Sequence, residues 1–147
     1  MPSTDRRRDV LDSLGRAIVT GEMTPGQSLT LEAIQSRYGV SRTLARDCVH
    51  TLESVGIVAS RRRVGIVVQP REHWSALAPE LVRWQLEVDP HGPKLGALTE
   101  LRAAIEPVAA AAAARRATED QRSGLLALAA AIRAKGTTGN VASYLDD

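Results

Sequence analysis

Apolar residues recur at steps of three and four along most of this chain, and the steps break where glycine or proline stands. Val10, Leu11, Leu14 and Ile18 share one helical face after Asp9, which can cap a first helix that Gly21 stops. Thr24-Pro25-Gly26 then reads as a turn, because Pro25 fixes φ and Gly26 can take the positive φ of a type II turn. Thr30 is placed to cap a second helix, 31–38, striped by Leu31, Ile34 and Tyr38, with Gly39 at the position where left-handed backbone ends a helix. Ser41 caps a third helix, 42–55, whose inner face holds Leu44, Ala45, Cys48, Val49 and Leu52. After Gly56 the pattern changes to short extended runs. Ile57-Val58-Ala59 and Ile66-Val67-Val68 flank Arg61-Arg62-Arg63-Val64-Gly65, which predicts a basic β-hairpin.

The second half reads as helix throughout. Trp74, Leu77, Leu81, Trp84 and Val88 share a stripe over 74–88, with Pro79 near a helix start or break. Residues 89–93 form an interrupting loop. A long helix follows from about 95 to 116, with Pro107 expected to kink or split it. Thr118 and Gln121 make a capping box for another helix carrying Leu125, Leu126, Leu128 and Ile132. Residues 136–139 form a loop, and Asn140 can cap a last short helix. The predicted fold is mainly α. It comprises a flexible basic arm (1–8), a helix-turn-helix with a small wing hairpin (9–69), a linker (70–73) and an incomplete all-helical bundle (74–147).

Charge sharpens this picture. The net charge is only +2, yet residues 1–70 carry 10 Lys and Arg against 7 Asp and Glu, while residues 71–147 carry 9 against 10. The arginines of the first half cluster at Arg6–Arg8, at Arg42 and Arg46, and at Arg61–Arg63. Clustered cations on one half suit a polyanion. No apolar run is long enough for a membrane span and the N-terminus has no apolar signal segment, so a cytoplasmic protein is expected. The single cysteine fits a reducing compartment. With no Phe and abundant Ala, any core must be aliphatic.

The turn 38–41 and the helix after it predict a DNA-reading device. Arg42, Thr43 and Arg46 stand in the opening turns of a helix of a width that fits the major groove. A bidentate arginine–guanine contact discriminates against a wrong base by about 1–3 kcal/mol. Ser41 and Thr43, with the backbone amides beside them, can hold phosphate at the positive end of that helix. Arg61, Arg62 and Arg63 supply cations at the wing tip, where Gly65 permits a tight turn or close approach to DNA. A solvated loop tip is the competing reading of the three wing arginines. Arg6–Arg8 suit either phosphate contact or a solubilising arm. His50, two turns into the helix, reads as surface, and Cys48 as a small core residue.

These residues resemble the GntR family of bacterial transcription regulators. The resemblance rests on Ile18, Gly21, Pro25-Gly26, Leu29, the run Tyr38 to Thr43, Arg46, Leu52, Gly56 and Gly65. Leu44 departs from the usual proline, and Cys48-Val49 from the usual Ala-Leu. The later region is similar to the FadR-type effector domain, or FCD domain, through Leu98, Glu100-Leu101-Arg102, Ile105-Glu106-Pro107, the alanine run and Arg115-Arg116-Ala117-Thr118. Trp74, Leu77, Pro79, Leu81 and Trp84 look like the branch that answers to sugar acids. The resemblance implies a homodimer for the full-length form that binds a palindromic operator in double-stranded DNA. It implies a small carboxylate or sugar-acid effector, a divalent metal in a complete effector domain, and repression as the mode of control. It places DNA contacts at Arg42, Thr43, Arg46 and the wing. It offers Arg102 as a ligand-facing residue, for which a surface ion pair with Glu106 is the equal alternative. It offers Asp147 as one metal ligand, with the later histidine ligands absent from this sequence, so the effector domain is expected to be incomplete and no cofactor is expected on this chain.

Two other functional classes compete with this reading. A ligand-binding or dimerisation module with a vestigial DNA half would show metabolite binding without DNA affinity. An enzyme is disfavoured, because the sequence holds no Ser/His/Asp set, Cys/His pair, phosphate loop or metal-ligand spacing; His50, His73 and His91 are read as non-ligands.

Overall fold

The computed structural model describes residues 3–136. Its elements run α1 (Ser3–Val19), β1 (Ser28–Leu29), α2 (Leu31–Tyr38), α3 (Arg42–Ser54), β2 (Val58–Arg61), β3 (Gly65–Val68), a 3-10 turn at Arg71–His73, α4 (Pro79–Val88), α5 (Pro93–Arg116) and α6 (Glu119–Gly136). The chain forms two compact units, residues 1–94 and residues 95–147.

The local signals of the first unit act as the residue types dictate. Thr30 accepts the Ala33 amide at 3.1 Å, and Ser41 accepts the Leu44 amide at 3.2 Å, so two helix starts are capped by side-chain oxygens. Gly39 takes φ 61 between them and ends α2. The core is aliphatic apart from one tryptophan. Leu11, Leu14 and Ile18 of α1, Ile34 of α2, and Ala45, Cys48 and Leu52 of α3 are buried with Val58, Ile66 and Val68 of the sheet.

Several features differ from expectation. The arm drawn over residues 1–8 is helix from Ser3 onward, and Asp9 lies inside α1 instead of capping it. Arg6 donates to the Gly39 carbonyl at 3.2 Å and Arg7 to Thr51 Oγ1 at 3.0 Å, contacts that tie this first part of α1 to the turn and to α3. The hairpin is part of a three-stranded antiparallel sheet in the order β1-β3-β2, since Leu29 pairs with Ile66 and Ser28 with Val67.

The boundary expected at 70–73 does not separate the compact units, because α4 packs with α1. Trp84 is fully buried, and a Cβ on Gly15 would come within 2.5 Å of its ring, so only glycine leaves room for it. The indole Nε1 donates to Asp12 Oδ1 at 2.8 Å. Arg83 grips both Asp12 oxygens, and Glu87 bridges Arg83 and Arg16. Burial pushes the Asp12 carboxyl up, but the hydrogen bonds from Arg83 and Trp84 and the charges of Arg83 and Arg16 outweigh it and hold the group below its ordinary value. Trp74 precedes α4 instead of joining it, its indole donating to the Gln69 carbonyl at 3.0 Å, and Leu77 is exposed. Pro79 opens the helix, where its missing amide costs nothing.

In the second unit, α5 runs through Pro107 without dividing. The alanines around Pro107 have the highest helix propensity and carry the helix past one missing hydrogen bond. The capping box forms: the Thr118 amide donates to Gln121 Oε1 at 3.0 Å, and the Gln121 amide to Thr118 Oγ1 at 3.3 Å. The region of Asn140 and Asp147 lies outside the described residues.

Candidate nucleic-acid interface

Helix α3 is rigid because one face is locked. Ala45, Cys48 and Leu52 have no exposed surface, and Val49 is buried beside them. Burial pushes the Cys48 thiol up against the lowering effect of Arg7, so this sulfur is a core atom and not a nucleophile. With that face fixed, the helical period turns Arg42, Thr43, Arg46 and His50 outward, and all four are exposed.

Arg42 and Arg46 differ in their surroundings. Arg42 Nη1 lies 3.0 Å from Glu32 Oε1 of α2, an exposed pair. The hydrogen bond from its own backbone amide, and then the Arg42 charge, hold the Glu32 carboxyl below its usual value. Arg46 has no ion-pair partner among the described residues. A groove beside it is lined by Leu31, Val49, His50, Glu53, Ser60 and Ile66 as well as Arg46, and so runs between α3 and the hairpin.

The wing presents Arg61, Arg62 and Arg63, all exposed and without ion pairs among the described residues. The Val64 amide closes the tip on the Arg61 carbonyl at 3.1 Å, and Arg63 adopts φ 65. A β-carbon makes that left-handed backbone uncommon. Gly65 has φ 103, and a Cβ there would lie 2.6 Å from the Leu29 carbonyl oxygen. Glycine is thus required both by its backbone angle and by the crossing of β1. Ser41, expected to hold phosphate, spends its side chain on the Leu44 amide.

The sequence brought Ser41 to the cap of α3 and Arg42, Thr43 and Arg46 to its opening turns, and Arg61, Arg62, Arg63 and Gly65 together on the hairpin. It missed Glu32 and Glu53. Glu53 Oε1 accepts the Ser60 amide at 2.7 Å. Neither partner was visible in a periodic pattern, because each pair joins two different elements.

The second unit offers less chemistry. Arg102 Nε lies 2.6 Å from Glu106 Oε1, an exposed i,i+4 pair. Among the described residues no three His, Cys, Asp or Glu side chains are grouped to hold a metal. The described residues therefore do not fit the divalent metal that the resemblance implies. No helix among them is long and apolar enough to cross a membrane.

Comparison with known proteins yields two domain matches. The family model of bacterial regulatory proteins, gntR family, matches residues 6–68, and that of the FCD domain matches residues 97–146. The galactonate operon transcriptional repressor of Escherichia coli (strain K12) is 34% identical over 116 residues, covering 78% of this chain and 49% of the relative. The uncharacterised HTH-type transcriptional regulator YieP of the same organism is 33% identical over 124 residues, covering 84% and 54%. The chain thus spans about half the length of the curated relatives it matches. Among solved structures, S. agalactiae BusR in complex with its busAB-promotor DNA aligns with a TM-score of 0.46 at 15% identity, over 90% of this chain and 55% of that one.

Proposed function

The chain belongs to the GntR family of bacterial regulatory proteins and carries an FCD domain, and from that membership we propose that it is a sequence-specific DNA-binding transcription regulator. The observation that carries the reading is exposed Arg46, without an ion pair among the described residues, in a groove that also touches Ser60 and Ile66 of the hairpin whose exposed tip carries Arg61, Arg62 and Arg63. In this reading Arg42, Thr43 and Arg46 reach base edges or phosphates of the major groove. Arg61, Arg62, Arg63 and Gly65 bring the hairpin against the backbone, and Ser41 orders the start of the reading helix. Regulation is repression in the cytoplasm, on a palindromic operator bound by a homodimer. The effector is a small carboxylate or sugar acid, in keeping with the galactonate operon repressor among the relatives. Arg102 is a ligand-facing residue once the effector displaces Glu106. Any metal would draw on residues beyond those described, Asp147 among them.

The test is selection of duplexes from a random pool by the full chain, followed by salt titration of the enriched duplex. Specific affinity should fall steeply with salt. Arg46→Ala should weaken the enriched duplex by about 10- to 100-fold while changing random-duplex binding little. Equal affinity for every duplex, before and after that substitution, would refute sequence-specific reading.

A further inference from the structure

A carboxylate sits in the groove beside Arg46. Glu53 occupies the last turn of α3 and lines that groove with Arg46 and His50. An anion there repels DNA and weakens long-range attraction unless it serves another purpose. Its geometry supplies one. Glu53 Oε1 accepts the Ser60 amide at 2.7 Å, and Ser60 belongs to β2, the outer strand of the sheet. Such an edge carries amides with no strand partner, and Glu53 takes one of them. Charge-assisted bonds of this kind are about twice as strong as neutral ones.

The position of this bond matters. Arg62 lies only two residues beyond Ser60, at the wing tip. At the other end, Glu53 is eleven residues from Arg42 along one helix, a rigid separation of about 16 Å. The bond therefore ties the wing to the same rod that carries the base-reading arginines. The opposite side of the hairpin is held by β1, which pairs with β3. The outer side is held to α3 by Glu53.

We propose that Glu53 is the positioning residue that aims the arginine wing relative to the reading helix, so that wing and helix engage DNA together. This rests on the DNA-reading function proposed above. Glu53 makes no contact with DNA in this scheme; it acts through Ser60.

A double-mutant cycle on the full chain tests it, with the duplex enriched from a random pool as probe. In the native background Arg62→Ala should weaken binding about tenfold. With Glu53→Ala the wing is no longer aimed, and the same Arg62→Ala should then cost less than about twofold. Glu53→Gln keeps an acceptor oxygen and should restore most of the Arg62 effect. Hydrogen exchange of the Ser60 amide should rise about tenfold or more in Glu53→Ala, while the amides of α3 and the melting curve stay at native values. Equal losses from Arg62→Ala in both backgrounds overturn the proposal, as does unchanged Ser60 exchange. If the native chain enriches no duplex, the DNA-reading function itself fails, and Ser60 exchange reports separately whether Glu53 holds the strand.

Discussion

Helix α4 and helix α5 make an instructive pair. The first has ten residues and two fully buried anchors, Leu81 and Trp84; the second has 24 residues and no buried side chain. The contrast extends to their units. Every buried hydrophobic residue described lies at or before Trp84, whereas Ile105, Val108, Leu125, Leu126, Leu128 and Ile132 are exposed. Both regions are helical for sound local reasons, namely caps, alanines and apolar steps. Helicity is thus no measure of a core. The first unit is held by long-range contacts with chemistry matched at both ends, and the second by signals that act within a turn or two.

The largest test of that difference is Trp84→Ala. It should cost the first unit about 3–5 kcal/mol, because it empties a site shaped by Gly15 and strands Asp12 without its indole partner. Denaturant unfolding measures this, and a loss below about 1 kcal/mol would show that α4 is only loosely attached.

Next is Asp12→Asn, expected to destabilise by about 1–3 kcal/mol at neutral pH. The native Asp12 carboxyl is held below its ordinary value, so its contribution is complete above the unfolded value of ~3.9. That contribution is lost as pH falls through the lower folded value. Native and variant curves should therefore converge as pH falls below the unfolded value, and a gap independent of pH would refute the ionic role of this group.

Thr118→Ala removes one half of the capping box and should cost α6 about 0.5–2 kcal/mol of local stability. Faster hydrogen exchange in the first turn of α6, with no change in the first unit, is the expected signature. The smallest effect is Val108→Thr, at a side chain 69% exposed, which should move global stability by no more than about 0.5 kcal/mol. A larger loss would mean that the second unit buries this face in solution.

Much of the first unit was legible because its signals are short-range. Thr30, Gly39 and Ser41 each specify a helix end through an oxygen or a backbone angle a few residues away. The inner face of α3 follows from steps of three and four, and that periodicity places Arg42 and Arg46 outside. The parts that were not legible depend on distant partners. The start of α1 has no apolar stripe, and its arginines bond residues 33 and 44 positions away. Strand β1 is two residues long and exists through pairing with β3. The acidic partners Glu32 and Glu53 act across elements, so no spacing rule reveals them.

The amino-acid order by itself determined the capped starts of α2, α3 and α6 and which faces are apolar, because caps, turns and periodicity work within about one helical turn. Which apolar face finds cover was decided only in three dimensions. Trp84 and Leu125 carry the same kind of signal in the sequence, yet Trp84 meets Gly15 and Asp12 some seventy residues earlier and is enclosed, while Leu125 remains exposed. Burial is a property of two surfaces meeting, and a single strip of residues specifies only one of them.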